Sequence, residues 1–241
     1  MKLQRLLTYG IKAIKKYDMI KDGDKIAVGI SGGKDSITTL ILLNHIKKHF
    51  EEYKNIEIYP VVIDCFGNTD YSVLEEKIKE LDLKLSIVRT EIADIIFNVR
   101  KEKNPCSLCS KMRKSALFIE SEKLGCNKVA LGHNRDDVLE TFFMSLFEEG
   151  RIHTFPCNTY LNKTNVTIIR PLIYVPEKDV VGFINKYDLN RYLIKNKCLA
   201  DGNTEREEMK NFLRSLREKY EKIDDKLIGA IEKARIDGYK D

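Results

Sequence analysis

The segment Ser31–Ser36 constrains the fold and the function of this chain more than any other segment. Its sequence, Ser-Gly-Gly-Lys-Asp-Ser, lies between an apolar run, Ile26–Ile30, and a helical pattern from Ile37 to Leu43. A strand that turns through two glycines into a helix forms an anion site, because glycines allow close approach and the first helical N–H groups are unpaired. An ordinary tight turn would explain the glycines but not the polar residues around them. The segment therefore predicts a phosphate-binding loop.

Helical patterns alternate with five short apolar runs along the chain. The runs predict β-strands, and the alternation predicts a doubly wound, mostly parallel sheet of five strands, an α/β fold. The runs are Ile26–Ile30, Tyr59–Ile63, Leu83–Val88, Lys128–Leu131 and Val166–Ile169. Ligands of such sheets bind beyond the carboxyl ends of the strands. Ser31–Ser36, Asp64 and Gly132 fall at three of these ends, which supports one shared site.

The two ends of the chain differ from this α/β pattern. Apolar residues repeat at helical spacing near the N-terminus, so we predict a helix within residues 1–22, followed by a nucleotide-binding domain over 23–180. Residues 181–241 are predicted to form a helical appendage with one basic stripe. The stripe consists of Arg206, Lys210, Arg214 and Arg217. It indicates either a solvated helix face or a surface that contacts RNA phosphates, and the sequence leaves both open.

Composition limits the class of protein. With 241 residues, of which 43% are hydrophobic and 33% charged, the chain suits one soluble α/β domain with a short appendage. No apolar stretch approaches the roughly 18 residues that suggest a membrane span, and the N-terminus lacks a signal-peptide pattern. We therefore expect a cytoplasmic protein with no membrane partner. The net charge of +5 suits a nucleic-acid partner and a small substrate equally.

Six cysteines in such a chain indicate free thiols or metal ligands rather than a disulfide framework. Cys106 and Cys109 form a C-x-x-C pair just before a helix predicted over Met112–Leu124. Such a pair binds one zinc ion or one edge of an iron–sulfur cluster, and no second pair or paired histidine accompanies it.

The other four cysteines carry weaker signals. Cys65 and Cys126 border strands, so we expect them to be packing residues. Cys157 follows a proline in a predicted loop. Cys198 lies in the basic segment Lys195-Asn196-Lys197-Cys198, which favours a thiolate.

Ser31–Ser36 resembles the SGGxDS loop of the PP-loop ATP pyrophosphatases, which cleave ATP between the α and β phosphates. With three further segments, it makes most of the chain similar to the tRNA 2-thiocytidine synthetase family. These segments are Cys106–Arg113, Leu131–Asp137 and Ile169–Leu172, in the order and approximate spacing of that family. Related 2-thiouridine synthetases share the loop, the cysteine pair and a Gly-His-Asn-x-Asp-Asp segment. They usually carry additional zinc-finger cysteines, which this sequence lacks.

The resemblance implies an ATP site built from the loop and two strand ends. The residues implied to bind ATP are Ser31, Gly32, Gly33, Lys34, Asp35, Ser36, Asp64 and Gly132. Lys34, Arg113 and Asp137 are implied to be catalytic. Asp137 would act beside the magnesium-bound phosphates or as an acid–base group.

The resemblance also implies a [4Fe-4S] cluster with three cysteine ligands, which are Cys106, Cys109 and Cys198. The family often has a C-x-x-C motif at the third ligand, whereas this chain has Cys198-Leu199-Ala200-Asp201. Since three thiolates suffice for a cubane and leave one iron open, the cluster is compatible with this change. Asp201 becomes a candidate cap for the fourth iron.

The implied reaction adenylates a pyrimidine carbonyl of tRNA, above all that of a cytidine, and replaces its oxygen with sulfur. The implied cofactors are ATP, Mg²⁺ and the cluster. The implied partners are tRNA, a sulfur donor (a cysteine desulfurase persulfide or sulfide) and a second copy of the chain in a homodimer. Two alternatives stay open: a PP-loop tRNA-modifying ligase of 2-thiouridine or lysidine type, and a non-enzymatic module that binds zinc and nucleotide.

Overall fold

A mostly parallel sheet of six strands forms the centre of the molecule in the computed structural model, which describes residues 1–101, 105–194 and 205–241. The strands are β1 (Lys25–Ile30), β2 (Glu57–Asp64), β3 (Ser86–Arg89), β4 (Lys128–Ala130), β5 (Asn158–Leu161) and β6 (Val166–Ile169). Their order across the sheet is β3-β2-β1-β4-β6-β5. Only β5 is antiparallel, and it pairs with β6 at one edge of the described sheet. The predicted α/β fold class is confirmed.

The sequence pattern predicted five strands, and β5 is the strand that it missed. The residues of β5 alternate between exposed and half-buried. An edge strand of four residues with one mostly solvated face leaves no apolar run, whereas the central parallel strands are buried on both faces and do. The third strand begins at Ser86 rather than at Leu83, a shift at one element boundary.

Nine α-helical segments surround this sheet within the described ranges. They are α1 (Leu3–Lys16), α2 (Lys34–His49), α3 (Ser72–Glu80), α4 (Ile92–Asp94), α5 (Pro105–Lys123), α6 (Arg135–Glu148), α7 (Glu177–Lys186), α8 (Glu205–Lys219) and α9 (Ile223–Lys233). A π-helical turn, Ile95–Val99, continues α4. The helix predicted over Met112–Leu124 is part of α5, which already includes Pro105, a residue type tolerated in the first turn of a helix. The cysteine pair therefore lies within α5 rather than before it.

Alternate residues of β1 face two different apolar cores, as expected for a strand with a side-chain period of two. Ile26, Val28 and Ile30 belong to the larger core, which also includes residues of α1, α2, α7 and α9. Ala27 belongs to the smaller core under α5. A Cβ at Gly29 would lie 2.9 Å from the Leu117 side chain, so α5 packs close to this strand.

Residues from all three predicted segments, 1–22, 23–180 and 181–241, contribute to the larger core. The division of the chain at these boundaries stays a prediction. Within the described ranges, no helix is long and apolar enough to cross a membrane.

Candidate active site

The predicted phosphate loop lies between the end of β1 and the start of α2. Gly32 has a φ of +81°, in the left-handed region that favours glycine, and a Cβ there would lie 2.7 Å from the Ile194 side chain. The Ser36 hydroxyl donates to the Gly33 carbonyl at 2.8 Å and accepts from the Ser31 N–H at 3.2 Å. No side chain caps the N-terminus of α2. The helix therefore presents unpaired N–H groups at a loop of fixed shape, as an anion site requires.

Lys34 is the cation of this loop. Its ammonium lies 2.8 Å from the Asp35 carboxylate and 2.9 Å from Glu177 at the start of α7. Burial disfavours the charged form, but the charge of Asp35 and hydrogen bonds to both carboxylates outweigh it and raise the pKa of Lys34. These two contacts hold the Lys34 ammonium beside the loop.

The segment after β4 braces the loop from the neighbouring strand. A Cβ at Gly132 would lie 2.8 Å from the Asp35 backbone carbon and 2.9 Å from the Ser36 nitrogen, so only glycine fits. The Asn134 amide donates to the Asp35 carboxylate at 2.9 Å. Its side-chain oxygen caps α6, and the Asp137 carboxylate accepts from the Asn134 N–H at 2.8 Å, which completes a capping box.

The first cavity opens beside this brace and has a volume of about 300 Å³. Apolar side chains of β2, α5 and the β4 end line it, together with the loop, and its polar lining includes Arg113, His133 and Asp137. Burial is the main cause that raises the pKa of Asp137, and the charge of Arg206 opposes it. Burial and the nearby Arg170 lower the pKa of His133 to about 3, so its imidazole is neutral.

The cysteine pair lies on the other side of Arg113, at the start of α5. Cys106 is exposed and Cys109 is half-buried. Residues four apart on a helix share a face, so Cys109 and Arg113 point to the same side of α5. Cys65, directly after β2, is within hydrogen-bond reach of the Cys109 thiol and near enough to Arg113 to be affected by its charge.

A second cavity of about 350 Å³ follows on the cysteine side of the loop. It shares Ser31, Ile63 and Arg113 with the first cavity. Cys65 lines it and is only partly buried, so the expectation that this residue is a simple packing residue is wrong. Cys126, by contrast, is buried in the smaller core as expected.

The comparisons with known proteins agree with this geometry. Residues 5–218 match a family described as a PP-loop domain. The chain belongs to the PP-loop family. Its curated relatives include the tRNA-cytidine(32) 2-sulfurtransferase of Pelobacter propionicus, 31% identical over 91% of this chain and 82% of that one. The enzyme of the same name from Pseudomonas entomophila is 35% identical over 88% and 77% of the two chains.

Two solved structures share the fold of this PP-loop protein. The U34-tRNA thiolase NcsA from Methanococcus maripaludis, solved with its [4Fe-4S] cluster, has a TM-score of 0.75 at 23% identity over 96% of this chain and 79% of that one. The NH3-dependent NAD synthetase from Campylobacter jejuni has a TM-score of 0.53 at 16% identity over 91% and 86%. At these identities the likeness concerns the fold alone.

The PP-loop protein thus brings most of the predicted site residues to one edge of its sheet. Ser31–Ser36, Gly132, Asp137 and Arg113 line or brace the first cavity. Asp64 lines the second cavity, but its fully buried carboxylate is already bonded to protein groups, among them the Arg89 guanidinium at 3.0 Å.

Cys198 and Asp201 lie outside the described residues. Within the described ranges, no group of three or more His, Cys, Asp or Glu side chains could hold a metal ion.

The basic stripe of α8 has a role that the sequence did not predict. Arg206 bonds Glu140 at 2.8 Å and Asp137 at 3.2 Å. Lys210 lies 3.7 Å from Glu177, and Arg217 pairs with Asp136 and with Asp224, 3.0 Å away. These cations attach α8 to the carboxylates around the loop, whereas Arg214 bonds Asn211 on its own helix.

Glu177, Lys114 and Glu140 are site residues that sequence reasoning missed. Lys114 lines the first cavity, where burial and the charge of Arg170 lower its pKa. Burial raises the pKa of Glu140 to about 7, against the charge of Arg206. An acidic residue directly after Pro176 and a second basic residue after Arg113 were visible signals for the first two. Nothing in the sequence marked Glu140.

Proposed function

We propose that this chain is an ATP-dependent tRNA sulfurtransferase that replaces the O2 atom of cytidine 32 with sulfur. One observation carries the proposal: Arg113 and Cys109 lie on the same face of α5, and that face connects the phosphate loop to the cysteines across the two cavities. The names of the curated relatives support the reaction and the nucleotide. A ligase that uses a nitrogen nucleophile would need the loop but not the cysteines, so that alternative is not favoured.

ATP activates the oxygen that is to be lost. The base oxygen attacks the α-phosphorus, the bond to the β-phosphate breaks, and pyrophosphate leaves; Mg²⁺, when bound, would help to neutralise its charge. The loop N–H groups and Lys34 offset the negative charge that develops on the phosphates. For this step Lys34 must exchange Asp35 or Glu177 for phosphate oxygens, since both carboxylates contact its ammonium.

Asp137 and Arg113 act on opposite sides of the phosphates. Asp137 lies at the N-terminus of α6 with one oxygen fixed by the Asn134 N–H and the other near Arg206. This position suits a carboxylate that binds Mg²⁺ or accepts a proton from the activated base. Arg113 lines both cavities, so its guanidinium can contact the α-phosphate and the base that it activates.

The described residues fit two ligands of an iron–sulfur cluster and the approach to a third. Cys106 and Cys109 lie near the N-terminus of α5 at the C-x-x-C spacing of a ligand pair. Ile194 donates its N–H to the Gly32 carbonyl at 3.0 Å, which fixes the chain to the loop four positions before Cys198. When bound by three cysteines, such a cluster leaves one iron open to hold a sulfide.

After activation, the sulfur attacks C2 of the base and the C–O bond breaks, so AMP leaves with the original oxygen. With hydrosulfide as the donor the step balances, because its proton is lost as the C=S bond forms; a persulfide donor would also require a thiol to reduce its S–S bond. Because the base must leave its stack to reach the cavities, a tRNA loop is a suitable substrate. Asp201 as a cap for the open iron, and a homodimer, stay predictions.

The test uses anaerobically reconstituted protein, ATP, Mg²⁺, inorganic sulfide and unmodified tRNA, with nucleoside mass spectrometry as the readout. We expect 2-thiocytidine at position 32 from the wild type and from a Cys126→Ala control, whose changed side chain is buried in the smaller core. We expect none from Cys109→Ser, which should also lose the brown visible absorbance while it still binds ATP. A thiouridine product would change the assigned nucleotide, and full activity of a colourless protein would refute the proposal.

A further inference from the structure

One wall of the second cavity is the loop after β2, which is held by hydrogen bonds to the Asp64 carboxylate. The Asp64 carboxylate lies beneath it, fully buried, and accepts hydrogen bonds from the Phe66 N–H at 3.1 Å and from the Thr69 N–H and hydroxyl at 3.0 Å. The Arg89 guanidinium donates to the same carboxylate at 3.0 Å and to the Gly67 carbonyl at 3.1 Å. These bonds hold the loop after β2 in one conformation, so the side chains that it carries toward the cavity are preorganised.

Phe66 is the side chain that this loop positions. Its ring lines the cavity, yet 36% of the residue is exposed to solvent. Arg113 lines the same cavity and has no ion-pair partner among the described residues. Aromatic rings and guanidinium groups are the surfaces on which unpaired nucleobases stack in RNA-binding sites.

The cavity is lined by residues from both halves of the proposed chemistry. Ser31 and Gly33 belong to the phosphate loop. Cys65 contacts Cys109 of the cysteine pair. A flat ligand in this space would lie between the α-phosphate position and the cysteine pair.

The first cavity is the better place for the adenosine of ATP. It is covered by Val61, Leu117 and Leu131, which give a mostly apolar surface for a purine ring. The cavity on the Phe66 side is therefore free for a second ring when ATP is bound, since the two spaces share only Ser31, Ile63 and Arg113.

We propose that the second cavity binds the target pyrimidine of the tRNA loop, stacked on Phe66 and flanked by Arg113. The inference rests on the proposed function and names the part of the site that receives the base. It also assigns Cys65, a residue that the sequence marked as packing, to the wall between the base and the cysteine pair.

A photo-crosslink tests the stacking contact without turnover. The probe is an anticodon stem–loop with 5-iodocytidine at position 32, bound to the full reconstituted chain and irradiated with near-ultraviolet light. Peptide mass spectrometry is expected to locate the crosslink at Phe66, because iodopyrimidines react with the aromatic ring on which they stack. A crosslink found only at aromatic residues outside this cavity would overturn the proposal.

A matched pair of variants tests the same contact in solution. Phe66→Leu is expected to raise the KM for tRNA about tenfold, from the loss of one base–aromatic stack, with an unchanged Kd for ATP. The control, Tyr160→Leu, alters an exposed aromatic residue on β5, the strand at the edge of the sheet opposite β3, and is expected to behave like the wild type. If Phe66→Leu matches an active wild type in KM and kcat, the pocket is refuted and the function stands. If the wild type makes no thiolated nucleoside, the function itself fails.

Discussion

The phosphate loop and the cysteine pair lie at the same edge of the sheet, but the protein holds them in different ways. The loop is braced by backbone contact with Gly132 and by the Asn134–Asp35 hydrogen bond, both from the adjacent strand end. The cysteine pair lies in one helical turn, with Cys106 exposed. The loop is thus preorganised for ATP by the fold itself. The cysteine pair is held instead by its helix and, through Cys109, by contact with Cys65 next to the end of β2.

Gly132→Ala tests the backbone brace of the phosphate loop, and it has the largest expected effect of these variants. The new Cβ would meet the Asp35 and Ser36 backbone within 3 Å, and backbone atoms at the start of α2 cannot move without displacing the loop. We expect a loss of roughly 3 kcal/mol of unfolding free energy and at least a tenfold weaker ATP affinity, measured by chemical denaturation and calorimetry.

The control for this change is Gly229→Ala. Gly229 lies inside α9, and a Cβ there would meet nothing within 4 Å. We expect a gain of about 0.5–1 kcal/mol from helix propensity and unchanged ATP binding. If Gly132→Ala bound ATP as the wild type does, the brace would not be what shapes the loop.

Glu140→Gln tests the contact that attaches α8 to the site, which is the ion pair of Arg206 with Glu140. The folded pKa of Glu140, about 7, lies above its unfolded value, so the folded protein binds the proton more tightly. Stability from this group is therefore present below pH 4.5 and is lost as the pH rises through 7. The glutamine keeps an oxygen acceptor for Arg206 without this titration.

We expect the wild type to lose about 2–3 kcal/mol relative to Glu140→Gln between pH 5 and pH 8, from thermal or urea unfolding across that range. Asp137 also titrates with a raised pKa and is coupled to Glu140 by its charge and by their shared partner Arg206, so the difference between the two proteins reports the coupled pair. Parallel stability curves for the two proteins would show that the Glu140 carboxyl is not neutral in the fold.

Glu177→Gln has the smallest expected effect. Glu177 contacts the Lys34 ammonium at 2.9 Å and competes with phosphate for it. Because the pair is about one-third exposed, solvent screens it, and the gain is modest. We expect an ATP affinity about three- to fivefold tighter in low salt, with the difference reduced in high salt. A weaker ATP affinity would mean that Glu177 positions Lys34 for the phosphates instead of competing with them.

The features that could be predicted from the sequence are those that depend on neighbouring residues. The loop, the strand–helix alternation and the cysteine pair are short patterns with local physical causes, and the structure has each of them. The contacts Lys34–Glu177, Arg206–Glu140 and Cys65–Cys109 join residues 44 or more positions apart. Sequence periodicity does not reveal contacts between residues that are so far apart along the chain. Cys65 was therefore expected to be a packing residue, and the α8 stripe was interpreted as either a solvated helix face or a surface that contacts RNA.

The transfer of oxygen from the base to AMP tests the central claim most directly. The claim is that the loop activates the oxygen that sulfur replaces, so the two regions act on one atom of one base. The measurement uses tRNA with oxygen-18 at O2 of cytidine 32 and follows the label by mass spectrometry during thiolation. The account predicts one labelled oxygen in AMP for each 2-thiocytidine formed. Unlabelled AMP would contradict it, because ATP would then be cleaved by water rather than by the base.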